Sequence, residues 1–405
     1  MLRLLTALLT APLAAPLALC GVRFLTVMLS RVGHLALEPA VWILSGRLGW
    51  RPRFRGVILA RPEETANWHL LTYWAEHLTV VSRPWLVGLL RAVARNPLVQ
   101  HDSYEAELPG GAGRHIIVPA IYGIQAAYQR RFGSDPLLRP REDDRHRARE
   151  ALERCGADPD SWWITLHVRE AHDGRATSRN SDIEAYLTAV SAVTARGGIV
   201  IRIGAPSMKR LPPMPGVIDD AHSETRSDVM DVVWLSQSRF FLGSNSGPLN
   251  VCYAFGVPCV VPNFAPMGHG AYTGRDLFIP KLYVRLRDGK ALTFAEVLRS
   301  PLRRLYGPGE FAAAGLTLVD NTPEEIHDLV TEMMDRLDGT FTTTADDDRR
   351  QERFHALLAE DPLYATSSHV GRDFLRNHAA LLEMGGADEP SGRGHRAMTQ
   401  ALQRR

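Results

Sequence analysis

Phe240-Phe241-Leu242-Gly243-Ser244-Asn245-Ser246-Gly247-Pro248-Leu249-Asn250, with Tyr253-Ala254-Phe255-Gly256-Val257-Pro258-Cys259-Val260-Val261 close behind, is the stretch that decides the fold. An apolar run of strand length enters a small, polar, glycine-containing turn. A short helix follows, then Gly-x-Pro and a second apolar run. This is the grammar of a parallel sheet whose crossovers are helices. Small residues in such a turn let backbone N–H groups and hydroxyls approach an anion, and the helix N-terminus adds a partial positive charge. A serine-nucleophile elbow is excluded, because G-x-S-x-G needs serine at its centre and Asn245 stands there. A tight turn with structural duties alone is the other reading.

The same alternation extends in both directions. Strand-length runs recur at Val22–Met28, Gly56–Ala60, His115–Val118, Trp162–Val168, Gly198–Ile203, Val217–Ile218, Arg239–Gly243 and Val257–Val261. Between them, Ser181-Asp182-Ile183-Glu184 and Thr322-Pro323-Glu324-Glu325 have the form of capping boxes, each followed by apolar residues at helical spacing. Strands alternating with helices predict an α/β protein with two Rossmann-like domains facing across a cleft. The mixed-charge stretch Arg139–Glu150 reads as a solvated helix or linker between them. The expected division is an apolar N-terminal segment (1–21), a first Rossmann-like domain (22–150), a second Rossmann-like domain (151–340), a C-terminal helical segment packing back (341–384) and a flexible tail (385–405). Within the last parts, Thr342–Arg350 reads as polar and mobile, and Gly371–Met384 as helical.

Composition removes several function classes. The 405 residues carry 47 Lys+Arg against 45 Asp+Glu, a net charge of +2, which offers no long-range field for a nucleic acid. Only Lys209, Lys281 and Lys290 are lysines, so nearly all of the positive charge is guanidinium. Cys20, Cys155, Cys252 and Cys259 lack CxxC spacing and read as reduced, buried thiols. Neither HExxH, nor GxxxxGK[ST], nor an EF-hand loop is present, so no metal ligand and no bound cofactor is expected. Leu4–Val22 carries no charge, but Pro12 and Pro16 interrupt it and no clean A-x-A site precedes Cys20. It is expected on the cytoplasmic face of a membrane or packed on the first domain, with a signal anchor as the second reading.

Chemistry is sought in the loops after the strands. Thr165-Leu166-His167-Val168-Arg169-Glu170 sets ionisable groups where an apolar strand emerges, and a guanidinium fork at Arg169 suits a diphosphate. Ser30-Arg31-Val32-Gly33-His34-Leu35-Ala36-Leu37-Glu38-Pro39 follows the first strand. Gly33 permits close backbone approach there, and His34 and Glu38 share a helical face, so His34 is a candidate general base that Glu38 orients or replaces. Gly204, after Ile199–Ile203, sits at the strand end that admits a nucleotide, and Asp231 is placed to meet a ribose or a loop amide; Ser227 or Asp228 caps the intervening helix. Gly268, Gly270 and Gly274 form a GxGxxxG without strand-to-helix context, and no GxGxxG with a downstream acid supports an NAD enzyme.

The order RVGHLALEP, TLHVRE, RNSDIEAYL, GGIVIRIG, PPMPGVIDDAHS, SDVMDVVWLSQSRFFLGSNSG and FGVPCVVPN resembles a family of bacterial glycosyltransferases found with surface-polysaccharide genes. The resemblance covers Val22 to Leu382, including VGRDFLRNHAALL. More distantly, the HxR strand end is similar to that of GT-B fucosyltransferases, and GSNSGPLNVCYAFGVP to the donor loop of heptosyltransferases. It implies a GT-B fold, a nucleotide-sugar donor held mainly by the second domain, and no required metal; the reaction expected is transfer with inversion from a nucleotide-sugar, such as a GDP-sugar, to a cell-surface glycan or glycolipid. The enzyme is expected in the cytoplasm, with peripheral membrane contact through its N-terminal segment. By position, Arg169 would hold the donor diphosphate, with Ser244, Ser246 and Gly247 lining its loop; His167 and Asn245 are further candidates for donor binding. Asn245 and Asn250 stand where the heptosyltransferase pattern has Asp and His, which speaks against a heptose donor. A nucleotide-sugar epimerase and a noncatalytic nucleotide-sugar-binding protein are the alternatives.

Overall fold

The computed structural model describes residues 2–108, 113–133, 135–171, 177–361 and 366–382. The chain opens with α1 (Leu2–Leu19), then β1 (Val22–Leu25), α2 (Val32–Leu48), β2 (Arg55–Leu59), α3 (Trp68–Trp74), β3 (Thr79–Val81), α4 (Pro84–Ala94) and β4 (Gln100–His101). Their four strands form one parallel sheet in the order β3-β2-β1-β4. An antiparallel hairpin, β5 (Glu105–Leu108) with β6 (Gly113–Ile116), precedes α5 (Ile117–Phe132). The strand expected at His115–Val118 is therefore half strand and half helix. Pro119 has no N–H to give a sheet, yet it sits without cost in the first turn of a helix, where that N–H has no partner.

The second half adds α6 (Glu142–Arg154), β7 (Trp163–His167), α7 (Leu187–Ala195), β8 (Ile199–Arg202), β9 (Val217–Asp219), α8 (Asp228–Gln237), β10 (Phe241–Gly243), α9 (Gly247–Phe255), β11 (Cys259–Phe264) and β12 (Leu277–Pro280). Beyond these come β13 (Leu282–Arg285), α10 (Phe294–Leu298), α11 (Pro308–Ala313), β14 (Leu316–Val319), α12 (Pro323–Asp338), α13 (Ala345–Ala359), β15 (His369–Val370) and α14 (Arg372–Asn377). Seven of these strands build a parallel sheet in the order β15-β12-β11-β10-β7-β8-β9, while β13 and β14 pair separately. Strands β8, β10 and β11 are buried at every position, because helices cover both faces of the sheet. The protein is thus α/β with two Rossmann-like sheets, as the alternation predicts.

Two local readings are corrected. Thr342–Arg350 is not a mobile run. Thr344 accepts from Asp347 N at 3.3 Å and opens α13, and Asp347 is paired with Arg376 at 2.6 Å. The signature is a capping box with Asp in place of Glu at the third position. Nor does Ser181 cap a helix. Asp182 accepts from Glu184 N at 3.0 Å and starts a short 3-10 turn before α7, while the Ser181 hydroxyl donates to Asp320. The Thr322 box forms as read. Cys252 and Cys259 are buried free thiols, but Cys20 and Cys155 are exposed. The tail expected at 385–405 lies outside the described residues, as do residues 383–384 of the segment before it.

The two halves share one continuous hydrophobic core. Leu35 to Ser45 of α2 are buried without interruption, since α2 lies between its own sheet and α9 of the other half. A helix enclosed on all sides has no use for an amphipathic pattern. Where α2 and α9 cross, a Cβ on Gly33 would stand 2.9 Å from Gly247 Cα, so the two backbones touch. Asn250 Nδ2 donates to Gly33 O at 3.1 Å, and Tyr272 holds the Asn250 carbonyl at 2.8 Å. Asp144 on α6 makes a further tie: it is fully buried, accepts from His69 of α3 at 2.7 Å, and its backbone carbonyl accepts from Gln237 of α8 at 3.1 Å. Of the two readings of this stretch, solvated helix or linker, the helix forms, and Asp144 pins it. At the other end, α1 packs on the first sheet through Ala14, beside Phe24, Val57, Val93 and Val99. No described helix is long and apolar enough to cross a membrane.

Candidate functional site

The Gly33–Gly247 contact brings the N-termini of α2 and α9 to one point. Neither helix has a side-chain cap: Arg31 and Ser246 occupy the capping positions without accepting from the first turn. Their leading amides consequently have no helical partner, and the two macrodipoles present positive ends to the same place. Only glycine fits at the nearby end of β10, because a Cβ on Gly243 would lie 2.0 Å from His167 O. That close crossing carries the loop Ser244–Gly247 directly over the end of β7.

Three arginines gather there. Arg169 Nε donates to Asn180 Oδ1 at 3.3 Å, and Lys281 fixes Asn180 in turn by donating to its carbonyl at 2.6 Å. Arg179 donates to Asn245 O at 3.1 Å and lies 5.0 Å over the Tyr306 ring. Arg169 N donates to Ser244 Oγ, Arg179 to Asn245 O, and Arg31 precedes the Gly33–Gly247 contact, so all three border the Ser244–Gly247 loop; burial pushes the Arg179 guanidinium below its ordinary value, Tyr306 acts against this, and Arg169 and Arg31 push it lower still. Among the described residues none of the three pairs with a carboxylate, and Arg179 Nε is buried without an acceptor. Unneutralised like charges beside two helix N-termini describe a site built for a multiply charged anion. His167 completes this wall. Burial, with Arg202 and Arg169, holds its imidazole down to about 4, so it is neutral near pH 7, and Nδ1 lies 3.2 Å from Ser246 Oγ.

On the side of the first domain, His34 and Glu38 form a dyad. His34 Nδ1 is 2.9 Å from Glu38 Oε1, while Glu38 Oε2 accepts from Met28 N at 3.2 Å. The Glu38 side chain is fully buried and His34 is 22% exposed. Glu38 is spent on orientation, which leaves His34 Nε2 as the atom turned outward. A cavity of about 560 Å3 borders Glu38 and is lined further by Trp42, Arg51, His101, Asp102 and Arg114. Burial, then Arg51 and Arg114, hold His101 at about 4, so this cavity presents a neutral imidazole beside cationic side chains.

Not every residue singled out from the sequence lines the site. Ser244 is 1% exposed and its hydroxyl accepts from Arg169 N at 2.9 Å, so it locks β10 to β7 rather than facing a ligand. Asn245 donates to Ala265 O at 2.7 Å. Gly204 and Asp231 belong to a separate group near the β8–β9 edge. Arg226 holds the Gly204 carbonyl at 3.1 Å, and the charged neighbours of Asp231 are Asp220, Arg226 and Asp228. Ser227 caps α8 by accepting from Met230 N at 3.1 Å. Arg31, Arg179 and Asn180 were not assigned from sequence, although all lie within the RVGH and RNSD stretches.

No family profile matches the chain, and no curated protein matches it. Among solved structures it is similar to the glycosyl transferase family 9 protein of Veillonella parvula, with 12% identity, 59% of this chain and 79% of that one covered, and a TM-score of 0.37. It is also similar to E. coli ADP-heptose LPS heptosyltransferase II, with 14% identity, coverage of 64% and 90%, and a TM-score of 0.39. E. coli heptosyltransferase WaaC with ADP shows 9% identity, coverage of 64% and 90%, and a TM-score of 0.31. Likenesses of this size carry no argument about chemistry, which rests on the residues themselves.

Proposed function

We propose that this chain is a glycosyltransferase that takes a sugar from a nucleoside-diphosphate donor. The observation that carries the reading is the meeting of Arg31, Arg169 and Arg179, none of which pairs with a carboxylate among the described residues, with two helix N-termini that lack a side-chain cap, next to the His34–Glu38 dyad. A diphosphate matches the charge and fork geometry of the first group. In the second, His34 Nε2 takes the proton of an acceptor hydroxyl, with Glu38 stabilising the imidazolium through Nδ1–H. The acceptor oxygen then bonds to the anomeric carbon as the bond to the diphosphate breaks. In this reading the transfer is a single displacement, which inverts the anomeric carbon. The negative charge that develops on the departing diphosphate is met by the arginines and first-turn amides, already oriented before reaction. Such electrostatic preorganisation supplies the leaving-group stabilisation from protein groups alone. The cavity beside Glu38 is the candidate seat of a glycan or glycolipid acceptor, and a GDP-sugar is one donor to test.

Thermal unfolding with GDP, UDP, dTDP, CDP and ADP separates the donors. A ligand present at a hundredfold excess over its Kd should add about 2.7 kcal/mol of stability. One nucleotide should stand out, and Arg169→Ala and Arg179→Ala should each remove most of its effect. If no nucleoside diphosphate shifts the midpoint, the reading fails. An epimerase would instead interconvert its nucleotide-sugar with no acceptor present, and a noncatalytic binder would release no nucleoside diphosphate.

A further inference from the structure

Helices α1 and α4 turn their apolar sides outward. The exposed positions of α1 include Leu5, Leu8, Leu9 and Leu13, spaced as one helical stripe, with Leu8 and Leu9 68% and 73% exposed. The side facing the protein carries Thr10 and Ala14 instead. A helix that packs only on its own domain has the opposite arrangement. The orientation is fixed by polar bonds: the buried Asn96 donates to Ala7 O at 2.8 Å and to Thr10 Oγ1 at 2.9 Å. Beside it, α4 buries Val87 and Val93 and exposes Trp85 and Leu89, with Arg83 just before the helix and Arg95 just after it.

Charge says what covers this face. Residues 1–101 hold eleven arginines against four glutamates, and one of those, Glu38, is buried, whereas the whole chain is only +2. The apolar stripes therefore sit on the basic end of a molecule whose remainder is net acidic. Leucines and a tryptophan between arginines that can reach outward are the composition of a helix lying in a lipid interface. Anionic headgroups complement the arginines and the acyl boundary takes the leucines.

We propose that α1 and α4 together seat this protein on an anionic membrane leaflet, lying in its plane. The cavity beside Glu38 reaches Pro97, and Leu98 next to it is exposed, so the cavity and the docking face share an edge. A consequence, which rests on the transferase reading, is that the acceptor is lipid-linked and its hydroxyl reaches His34 from the bilayer.

Flotation of the full chain with vesicles needs no sugar donor, so its failure leaves the transferase reading untouched. Vesicles of phosphatidylcholine with about one-third phosphatidylglycerol should carry the protein up the gradient, and phosphatidylcholine alone should carry far less. Leu9→Asp with Leu13→Asp, and separately Trp85→Ser with Leu89→Asp, should lower the bound fraction at least about tenfold at an unchanged unfolding midpoint, since these side chains are exposed. Arg83→Glu with Arg95→Glu should abolish the preference for anionic vesicles. Variants that bind like the parent, or a parent that does not bind anionic vesicles at all, would overturn the proposal. So would sedimentation showing a dimer of the parent that those leucine and tryptophan substitutions dissolve.

Discussion

Asp231 links one residue's environment to the stability of the fold. Its Oδ1 is buried without a partner, and burial, then Asp220, raise the carboxyl to about 7. The folded value lies above the unfolded one, so this group favours the fold fully below about pH 3.8 and surrenders that contribution as pH rises toward 7. Asp231→Asn removes the penalty. The variant should gain on the order of 2–4 kcal/mol over the parent at pH 8 and little at pH 4, with the difference growing between those limits in urea titrations. His167 has the opposite sign. Its depressed value means that the fold is favoured above pH 6.5 and loses stability as pH falls toward 4, so His167→Asn should flatten the acid side of the stability curve. On the transferase proposal, Glu38→Gln in the His34–Glu38 pair should lower kcat by at least about tenfold while leaving nucleotide binding intact, because it loses the charge that steadies the imidazolium.

At the scale of elements, the crossing of α2 and α9 is both joint and candidate site. Gly33→Ala would press a methyl group within 2.9 Å of Gly247 Cα, against backbone that cannot rotate away. It should cost about 1–3 kcal/mol in chemical denaturation and weaken nucleotide binding along with it. The alternating pattern and the Gly243–Gly247 turn made the second sheet legible from sequence, and His34–Glu38 was legible from its four-residue spacing. The arginine cluster was not. Among so many arginines neither Arg31 nor Arg179 stands out, and only the fold brings residues 31, 169 and 179 together. Ser244 misled for a related reason: a serine in a glycine-containing loop looks available to a ligand, and what occupies it is the backbone N–H of Arg169, seventy-five positions away. The helix α13 escaped notice because its cap uses Asp347 where Glu or Gln is the familiar signal.

For the whole molecule, two sheets facing across a cleft suggest domains that swing together on a donor. The shared core and the backbone contact between α2 and α9 oppose that motion. Small-angle scattering should give a radius of gyration near about 22 Å, the value for a compact chain of this length, and donor binding should change it by less than about 1 Å. Ordering of the loops that follow the strands would then exclude water without any rotation of the sheets.

The edge of the larger sheet has a consequence for biosynthesis. Strand β12 has β11 on one side and, on the other, only the two residues His369 and Val370. A nascent chain leaving the ribosome exposes that edge through the synthesis of some ninety further residues, and until β15 and α14 emerge its unpaired amides and carbonyls can recruit a neighbouring polypeptide. Translation rate over residues 281–369, or a chaperone bound during that interval, should therefore change the yield of native protein.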